Sequence, residues 1–360
     1  NIKNIFEGDK NMNMKKLLSF LIVAILVVPG YSYAAKWTLK YAHVGPATSV
    51  SDDHIPGLWL KTYLESRTGG DITVEIYPAA QLGNFRELIE QVNQNTLELT
   101  HTTVGGMASF FPEFQVTDIP YMLANDSIAE QVAKGSWMWD VIGPEVLKRT
   151  GNVRMVAIGN TGRWRSFYTS KKLIKTASDM KGVKMRTINS QLQIEFIKAM
   201  GGNPTPVAWG ELYTALKSGV VEGTKNAATD IIPNKMHEVC KFVSLDEHAN
   251  LFGFYWMSDE WLKSLPENYQ NLVVEGVRQM AEIQSNWNKQ YENQALMEFQ
   301  ESGGTVYVPS PDEKATFLPY RDQMAEWFVA KYGSEYVDGW KGAIAQAEKE
   351  VGVMNAMVLQ

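Results

Sequence analysis

Three polar side chains stand on predicted strands at positions where they could meet in a crevice. Arg186 ends the strand predicted for residues 183–187 in the stretch GVKMRTINSQ, just before a helix that should start near Ser190. No acidic residue lies within five positions of Arg186, although a guanidinium removed from water has to be paired. Arg165 lies on a second strand, in NTGRWRSFYTS, and Asn226 closes a third, in VVEGTKN. Because ligands bind beyond the carboxyl ends of strands in open α/β sheets, we expect these three side chains to converge.

Two guanidinium groups and an amide are suited to binding one carboxylate. A guanidinium fork holds a carboxylate bidentately, at roughly 1.5–3 kcal/mol per charged hydrogen bond. The sequence therefore predicts that the partner of Arg186 is the carboxylate of a ligand. The alternative is that Arg186 forms a salt bridge within the protein, joining two lobes of the predicted fold, with Glu222 or Asp230 as the partner.

Other candidate side chains have a structural interpretation that competes with a functional one. Arg163 alternates with Trp164, so it is predicted on the same strand face as Arg165, but a solvated surface arginine is the favoured interpretation. Trp209, in PVAWGEL, could stack on a flat ligand or pack in the core. The histidines have no acid at a fixed spacing, which favours structural hydrogen bonding over catalysis or metal binding. They include His43, His54 and His101.

No catalytic or cofactor motif is present. The sequence has no GxSxG, HExxH, Walker or GxGxxG pattern. Its single cysteine, Cys240, can form neither an intrachain disulfide nor a zinc site of the usual spacing. The net charge of −6 does not fit a nucleic-acid-binding chain. We therefore predict a non-enzymatic protein with no cofactor, no metal site and no nucleic-acid partner. A secreted enzyme acting on an organic acid through spatially assembled residues is one alternative.

The N-terminal region has the pattern of a signal peptide. Lys15 and Lys16 precede the apolar run LLSFLIVAILVV, and a small-x-small cleavage site ends at Ala34. The apolar run is short for a membrane span, so an uncleaved anchor is the less favoured alternative. Residues 1–35 are interpreted as upstream residues and signal peptide. The mature chain is expected to be exported to the periplasm.

Downstream of Lys36, short strands alternate with helices, which predicts βαβ units and a mainly parallel sheet. Two stretches, ELIEQVNQNTLELT from Glu87 and ELYTALKSGVVEGT from Glu211, share a helix–turn–strand pattern, one in each half of the mature chain. From Pro266 to about Ser302 the spacing predicts one long helix, or two stacked end to end. These features indicate an α/β fold with two lobes of similar construction.

Six stretches, in this order and spacing, resemble the substrate-binding proteins of tripartite ATP-independent periplasmic (TRAP) transporters, of the dicarboxylate-binding (DctP) type. The stretches are AHVGPATSVSDDH, YPAAQLGNFRELIEQVNQNTLEL, FFPEFQVTDIPYML, DMKGVKMRTINSQ, GGNPTPVAWGELYTALKSGVVEGTKN and HEVCKFVSLDEH. The resemblance implies a two-lobed periplasmic-binding-protein-like fold with cross-over strands and a long hinge-spanning helix. It assigns residues 36–163 and 251–290 to lobe I, and residues 164–250 and 291–360, with the C-terminal helices, to lobe II.

The resemblance also implies roles for individual residues. Arg186, in KMR, matches the carboxylate-binding arginine of the family, and Arg165 matches a second arginine that supports it, while Arg163 is displaced by two positions. Asn226 falls on a ligand-facing amide, although the usual acid-Asn-Pro context is replaced by KNAA. The remaining expected ligand contacts are Trp209, Asn189, Thr103, His54 and His101.

The function implied by the resemblance is capture of an organic acid between two closing lobes. The acid could be a dicarboxylate, a sugar acid, a 2-oxo acid or an aromatic acid. The loaded protein would deliver it to the small and large membrane subunits of a TRAP permease. A ligand-binding sensor component that signals to a membrane receptor is a further alternative.

Overall fold

One continuous sheet runs through the described part of the chain. A computed structural model describes residues 35–358, so the predicted signal peptide up to Ala34 lies outside the described residues. The strands are β1 (Trp37–Ala42), β2 (Ile72–Tyr77), β3 (Leu99–Thr102), β4 (Val153–Thr169), β5 (Lys184–Thr187), β6 (Asn203–Pro206), β7 (Gly223–Asn226), β8 (Phe242–Ser258) and β9 (Thr305–Tyr307). Their order is β2-β1-β3-β8-β4-β7-β5-β6, and β9 pairs with β8.

Helices cover this sheet and form the C-terminal part of the described chain. They are α1 (His54–Arg67), α2 (Phe85–Asn93), α3 (Val104–Met107), α4 (Asp126–Lys134), α5 (Gly143–Thr150), α6 (Gln191–Ala199), α7 (Leu212–Ser218), α8 (Ala228–Ile231), α9 (Asp259–Ser264), α10 (Glu267–Glu301), α11 (Pro311–Ala315), α12 (Pro319–Tyr332) and α13 (Glu335–Val358). Among residues 35–358, none of these helices is both long enough and apolar enough to cross a membrane.

The pairing of the strands confirms the predicted fold class. Within the described residues, five of the eight strand pairings are parallel, so the sheet is mainly parallel. The antiparallel pairings all involve β4 or β8, which pair with each other along their length and join the β1–β3 side of the sheet to the β5–β7 side. These two long strands are the predicted cross-over strands.

The structure contains both of the helix–turn–strand units that the sequence predicts. The first copy is α2 followed by β3, and the second is α7 followed by β7. Asn84 caps α2 through a capping box with Glu87, which satisfies backbone donors at the start of the helix. The second unit turns through Gly219, whose φ of +75° is a left-handed conformation that favours glycine.

Of the two arrangements predicted after Pro266, one long helix or two stacked end to end, the structure has one long helix, α10. Its buried positions begin with Val273, Val277 and Met280, which pack in a core cluster with residues of β1, β2 and α1. Gly276 interrupts helical propensity but allows close packing, since a Cβ there would lie 3.0 Å from Leu60 and Tyr63. Farther along, Asn288 donates to the backbone carbonyl of Asn160 in β4 at 2.9 Å. Helix α10 therefore ties the β1–β2 side of the sheet to a cross-over strand.

Candidate ligand-binding site

A cleft of about 570 Å³, part of it open to solvent, lies where β4, β5, β7 and the loop before α1 meet. Six of the residues predicted for the site line this cleft. They are Thr103, His101, Arg165, Arg186, Trp209 and Asn226. Three acidic side chains also line it, and we refer to Asp52, Asp53 and Asp230 as the acid cluster. We refer to Arg165 and Arg186 as the arginine pair.

Arg186 is buried with unused hydrogen-bonding capacity. Its residue is only 3% exposed, its Nε donates to the carbonyl of Val207 at 2.9 Å, and its Nη2 has no hydrogen-bond partner among residues 35–358. Burial, and then the positive charge of Arg165, lower the pKa of Arg186 to about 9, while Asp230 acts in the opposite direction. An anion in the cleft would therefore satisfy a costly buried cation.

The alternative partners suggested by the sequence do not form an ion pair with Arg186. Glu222 lies 2.5 Å from the Nζ of Lys171 instead. Asp230 accepts from the side chain of Asn226 at 3.1 Å. Within the described residues, no carboxylate lies within ion-pairing distance of the Arg186 guanidinium.

A buried polar network holds the guanidinium of Arg165. Its Nη1 donates to the carbonyl of Lys225 at 3.4 Å, and its Nε lies 3.7 Å from Oδ1 of Asp118. Gln193 links this network, donating to Asp118 at 2.5 Å and accepting from Lys225 Nζ at 3.0 Å. Burial, followed by the charge of Arg165, lowers the pKa of Lys225 well below its ordinary value. The network fixes the direction of the Arg165 guanidinium.

Asn226 ends β7 and turns its amide toward the acid cluster. Its Oδ1 accepts from Thr224 at 2.7 Å, and its Nδ2 donates to Oδ2 of Asp230 at 3.1 Å. Burial raises the pKa of Asp230 to about 6, although the hydrogen bonds from Asn226 and from the backbone of Ala227 act to lower it. Asn226 thus connects the arginine side of the cleft to an acid.

The predicted position of Arg163 is wrong. The register of β4 against β8 shifts between Asn160 and Trp164, and Arg163 has φ +71°. This irregularity breaks the strand alternation, so Arg163 does not share a face with Arg165. Arg163 is also no solvated surface arginine, since it is half-buried and pairs with both Asp126 and Glu292. It joins β4 to α4 and α10 and does not line the cleft.

Trp209 and Thr103 occupy the cleft in different ways. Trp209 is half-buried, packs against two hydrophobic clusters, and has its ring centroid 5.7 Å from the Arg186 guanidinium carbon. Trp209 therefore packs against hydrophobic clusters and also lines the cleft, and stacking on a ligand stays a prediction. Thr103 precedes α3, and its side chain makes no capping hydrogen bond, which leaves its hydroxyl available to the cleft.

The two remaining predicted contacts lie outside the cleft. His54 has Nδ1 at 3.3 Å from Nε2 of His43 and does not line the cavity. Asn189 is exposed and lines an adjoining groove beside Trp209. In contrast, His101 is buried in the cleft wall, with its Nδ1 3.0 Å from Oδ1 of Asp53.

Sequence reasoning missed Asp52 and Asp53. Asp53 is the residue before α1, but its side chain makes no capping bond and instead accepts from the backbone NH of Gly45 at 3.1 Å. Asp52 Oδ2 accepts from Thr161 at 2.9 Å, from Asn288 at 3.0 Å and from Gln284 at 3.2 Å. Acids that precede a helix normally signal an N-cap, which conceals their role here.

The two neighbouring acids have opposite pKa shifts. Burial, and then the charges of Asp53 and Asp230, raise the pKa of Asp52 to about 7. Burial acts in the same direction on Asp53, but the charge and hydrogen bond of His101 and the charge of His43 outweigh it and lower the pKa of Asp53. Asp53 is therefore the stable anion of the pair and Asp52 the group that holds a proton more readily.

The sequence does carry a signal that Gln284 and Asn288 of α10 have buried polar partners. Gln284 and Asn288 continue the helical stripe of Val277 and Met280, at positions where an apolar residue is the norm. Polar residues on a buried helix stripe need hydrogen-bond partners. Gln284 and Asn288 find one in Asp52.

Comparison with known proteins places the chain in a family. The family model described as "Bacterial extracellular solute-binding protein, family 7" (DctP) matches residues 41–329. The chain belongs to this family. The resemblance to TRAP substrate-binding proteins of the DctP type is thereby confirmed. Its geometry suits family 7, because a cleft with an unsatisfied arginine binds a solute without needing catalytic groups.

Individual relatives of this family 7 protein cover most of its length. The uncharacterized protein YiiZ of Salmonella typhimurium is 30% identical over 241 residues, which are 66% of this chain and 72% of the relative. The 2,3-diketo-L-gulonate-binding periplasmic protein YiaO of Escherichia coli is 24% identical over 322 residues, covering 88% and 95% of the two chains. A TRAP periplasmic solute-binding protein from Desulfovibrio salexigens, solved with bound orotic acid, is 25% identical with a TM-score of 0.79, covering 86% and 99%.

Proposed function

We propose that this family 7 protein captures an organic acid through its carboxylate and delivers it to a TRAP permease. The observation that carries the proposal is the unpartnered Nη2 of Arg186, buried in a cleft that also holds Arg165. The related YiaO is named for binding a sugar acid, and the Desulfovibrio protein holds orotic acid, which supports an organic acid as the ligand class.

The proposed mechanism is closure of two lobes around the acid. Lobe I comprises residues 36–163 and 251–290, and lobe II comprises residues 164–250 and 291–360. Arg186 and Arg165 would fix the carboxylate, and Thr103 and His101 would complete the site from the other lobe. The closed, loaded protein would then dock on the small and large membrane subunits of the permease. The mature chain would act in the periplasm, after cleavage of the signal peptide at Ala34.

The proposal is tested by a thermal-shift screen of the mature chain against a panel of organic acids. The protein is first unfolded and refolded, so that any acid carried through purification is removed. A ligand at 1,000 times its dissociation constant adds about 4 kcal/mol of stability, which is readily measured. The ligand should be recovered chemically unchanged, because turnover would indicate an enzyme. Stabilisation by no acid would contradict the proposal.

Arg186→Ala tests the assigned anchor. We expect the affinity for the acid to fall by about 100-fold or more, because at least two charged hydrogen bonds are lost. The melting temperature of the ligand-free variant should not fall, since the removed cation lacks a full set of partners. Arg321→Ala is the matched control, because Arg321 is half-buried outside the cleft and, among the described residues, pairs with the adjacent Asp322. Unchanged affinity in Arg186→Ala would show that the carboxylate binds elsewhere.

A further inference from the structure

Two carboxylates of the acid cluster each have one oxygen that accepts no hydrogen bond from the described residues. Asp53 uses both carboxylate oxygens, since Oδ1 accepts from Gln284 and lies next to His101 while Oδ2 accepts from Gly45. Asp52 and Asp230 differ, because every hydrogen bond that each receives from residues 35–358 goes to Oδ2. Their Oδ1 atoms belong to side chains that line the cleft. The cleft therefore offers free acceptors as well as the free donors of the arginine pair.

The carboxylates of Asp52 and Asp230 both lie beside one short segment of β4. Thr161 Oγ1 donates to Asp52, and a Cβ on Gly162 would lie 3.4 Å from Oδ2 of Asp230. The backbone of Gly162 has φ +129°, so this close approach also depends on a conformation that favours glycine. Thr229, the neighbour of Asp230, is 2% exposed, lines the cleft and has an unpartnered hydroxyl. This part of the cleft is polar, buried and incompletely hydrogen-bonded.

The charges that line the cleft limit what a ligand can carry beyond its first carboxylate. The charged and titratable lining groups are the arginine pair, the acid cluster and His101. Once a carboxylate occupies the arginine pair, the remaining titratable lining groups are the three acids and His101, and His101 is already engaged by Asp53. A second carboxylate would add a like charge in a water-poor site, which is unfavourable, whereas a hydroxyl or ammonium group could donate to the free Oδ1 atoms.

We propose that the cleft selects a monocarboxylate whose far end carries hydrogen-bond donors, and that Asp52 and Asp230 discriminate against the corresponding dicarboxylate. This inference rests on the proposed function, because it takes the arginine pair as the carboxylate anchor. It assigns Asp52 and Asp230 as specificity-determining residues. A polyhydroxy acid and an amino acid with a distant ammonium share the required chemistry, and the choice between them is made by experiment.

The pKa shifts of the two acids agree with this assignment. Burial and nearby carboxylates raise the pKa of Asp52 to about 7, and burial raises that of Asp230 to about 6. Both anions are therefore disfavoured in the empty cleft, and donors from a ligand would stabilise them. Within residues 35–358, no group of three or more acids, histidines or cysteines is arranged to hold a metal ion.

The test compares acids that differ only at the far end. The first pair is D-gluconate and D-glucarate, and the second set is 4-hydroxybutyrate, 4-aminobutyrate and succinate. Dissociation constants are measured by calorimetry on the refolded mature chain. We expect the monocarboxylate to bind at least about tenfold more tightly than the dicarboxylate of the same length. Preference for gluconate and 4-hydroxybutyrate indicates hydroxyl donors, and preference for 4-aminobutyrate indicates an ammonium donor.

Variants of Asp52 and Asp230 test whether these two side chains cause the preference for a monocarboxylate. Asp52→Asn and Asp230→Asn should each reduce the ratio of the two dissociation constants by about fivefold or more, chiefly by tighter binding of the dicarboxylate. Asp338→Asn removes the same charge from an exposed position on α13 and should leave the ratio unchanged. A melting curve for each variant establishes that it is folded.

The outcomes separate this inference from the proposed function. Dicarboxylates that bind wild type as tightly as their monocarboxylate partners would overturn the selectivity while leaving the organic-acid function intact. A preserved ratio in both Asn variants would overturn the assignment of Asp52 and Asp230. Failure of every acid, in this set and in the wider screen, would remove the proposed function together with the inference.

Discussion

Arg186 and the neighbouring acids Asp52 and Asp53 are all buried, but the protein satisfies their hydrogen bonds to different degrees. Arg186 makes one hydrogen bond through Nε and leaves Nη2 without a partner in the described chain. Asp52 and Asp53, in contrast, collect donors from β4, from α10 and from the loop before α1. A group that the protein leaves unsatisfied depends on a ligand, whereas a group that the protein satisfies from several elements also holds those elements together. Arg186 should therefore govern affinity, and Asp52 and Asp53 should govern stability, with Asp52 also governing selectivity.

The largest effect that tests this difference is expected from Gln284→Leu. Gln284 is fully buried, donates to both Asp52 and Asp53, and accepts from the hydroxyl of Tyr255. Leucine has a similar size but removes these bonds and leaves buried carboxylates with fewer donors. We expect the free energy of unfolding to fall by about 2–4 kcal/mol in denaturant titrations. Gln294→Leu, on an exposed position of the same helix, should change it by less than about 0.5 kcal/mol.

An unchanged stability in Gln284→Leu would show that the acids do not depend on the hydrogen bonds from Gln284. The contrast with Arg186→Ala, which should lose ligand and keep its stability, would then disappear. The two variants together therefore decide whether the arginine pair and the acid cluster have separate roles.

The next effect in size is the pH dependence of Asp52→Asn. The folded-state pKa of Asp52 is raised to about 7 from an ordinary value of 3.8, so its protonated form favours folding at low pH. That contribution is fully present below about pH 4 and is lost as the pH rises through about 7. The ligand-free Asn variant should therefore gain stability relative to wild type between pH 5 and pH 8, by roughly 1–3 kcal/mol. A pH-independent difference between Asp52→Asn and wild type would mean that the pKa of Asp52 is not raised.

The sequence predicts the features of the fold and the site that follow from strand ends, periodicity and turn residues. Arg186 and Asn226 were predictable because each lies at or next to the end of a short strand, and the strand ends meet by the topology of the fold. Arg165 lines the same cleft although the register of β4 against β8 shifts on both sides of it. Helix α10 and the repeated helix–turn–strand unit were predictable from periodicity and from glycine and proline positions. The family's six stretches supplied the two-lobed arrangement that periodicity alone leaves open.

The parts that escaped prediction depend on local irregularity or on contacts between distant residues. Arg163 was misplaced because a register shift with φ +71° interrupts β4, and no residue in NTGRWRS other than the glycine announces it. Asp52 was missed because its partners, Thr161, Gln284 and Asn288, lie more than 100 residues away in the chain. His54 and Asn189 were assigned from the family resemblance. In the structure, His54 contacts His43 and Asn189 lines the groove that adjoins the cleft.

The smallest expected effects compare two amides that the sequence assigned to the same role. Asn226 lines the cleft and donates to Asp230, whereas Asn189 is exposed in the adjoining groove. We expect Asn226→Ala to weaken binding of the identified acid by about fivefold, in keeping with one hydrogen bond of about 1 kcal/mol. Asn189→Ala should change the dissociation constant by less than about twofold, in keeping with a side chain that water already solvates. Calorimetric titration measures both, and the melting temperatures of the two ligand-free variants serve as the control for folding. A larger loss in Asn189→Ala than in Asn226→Ala would mean that lobe closure carries the adjoining groove onto the ligand. The ligand would then extend past Trp209, and the boundary of the site would have to be redrawn to include that groove.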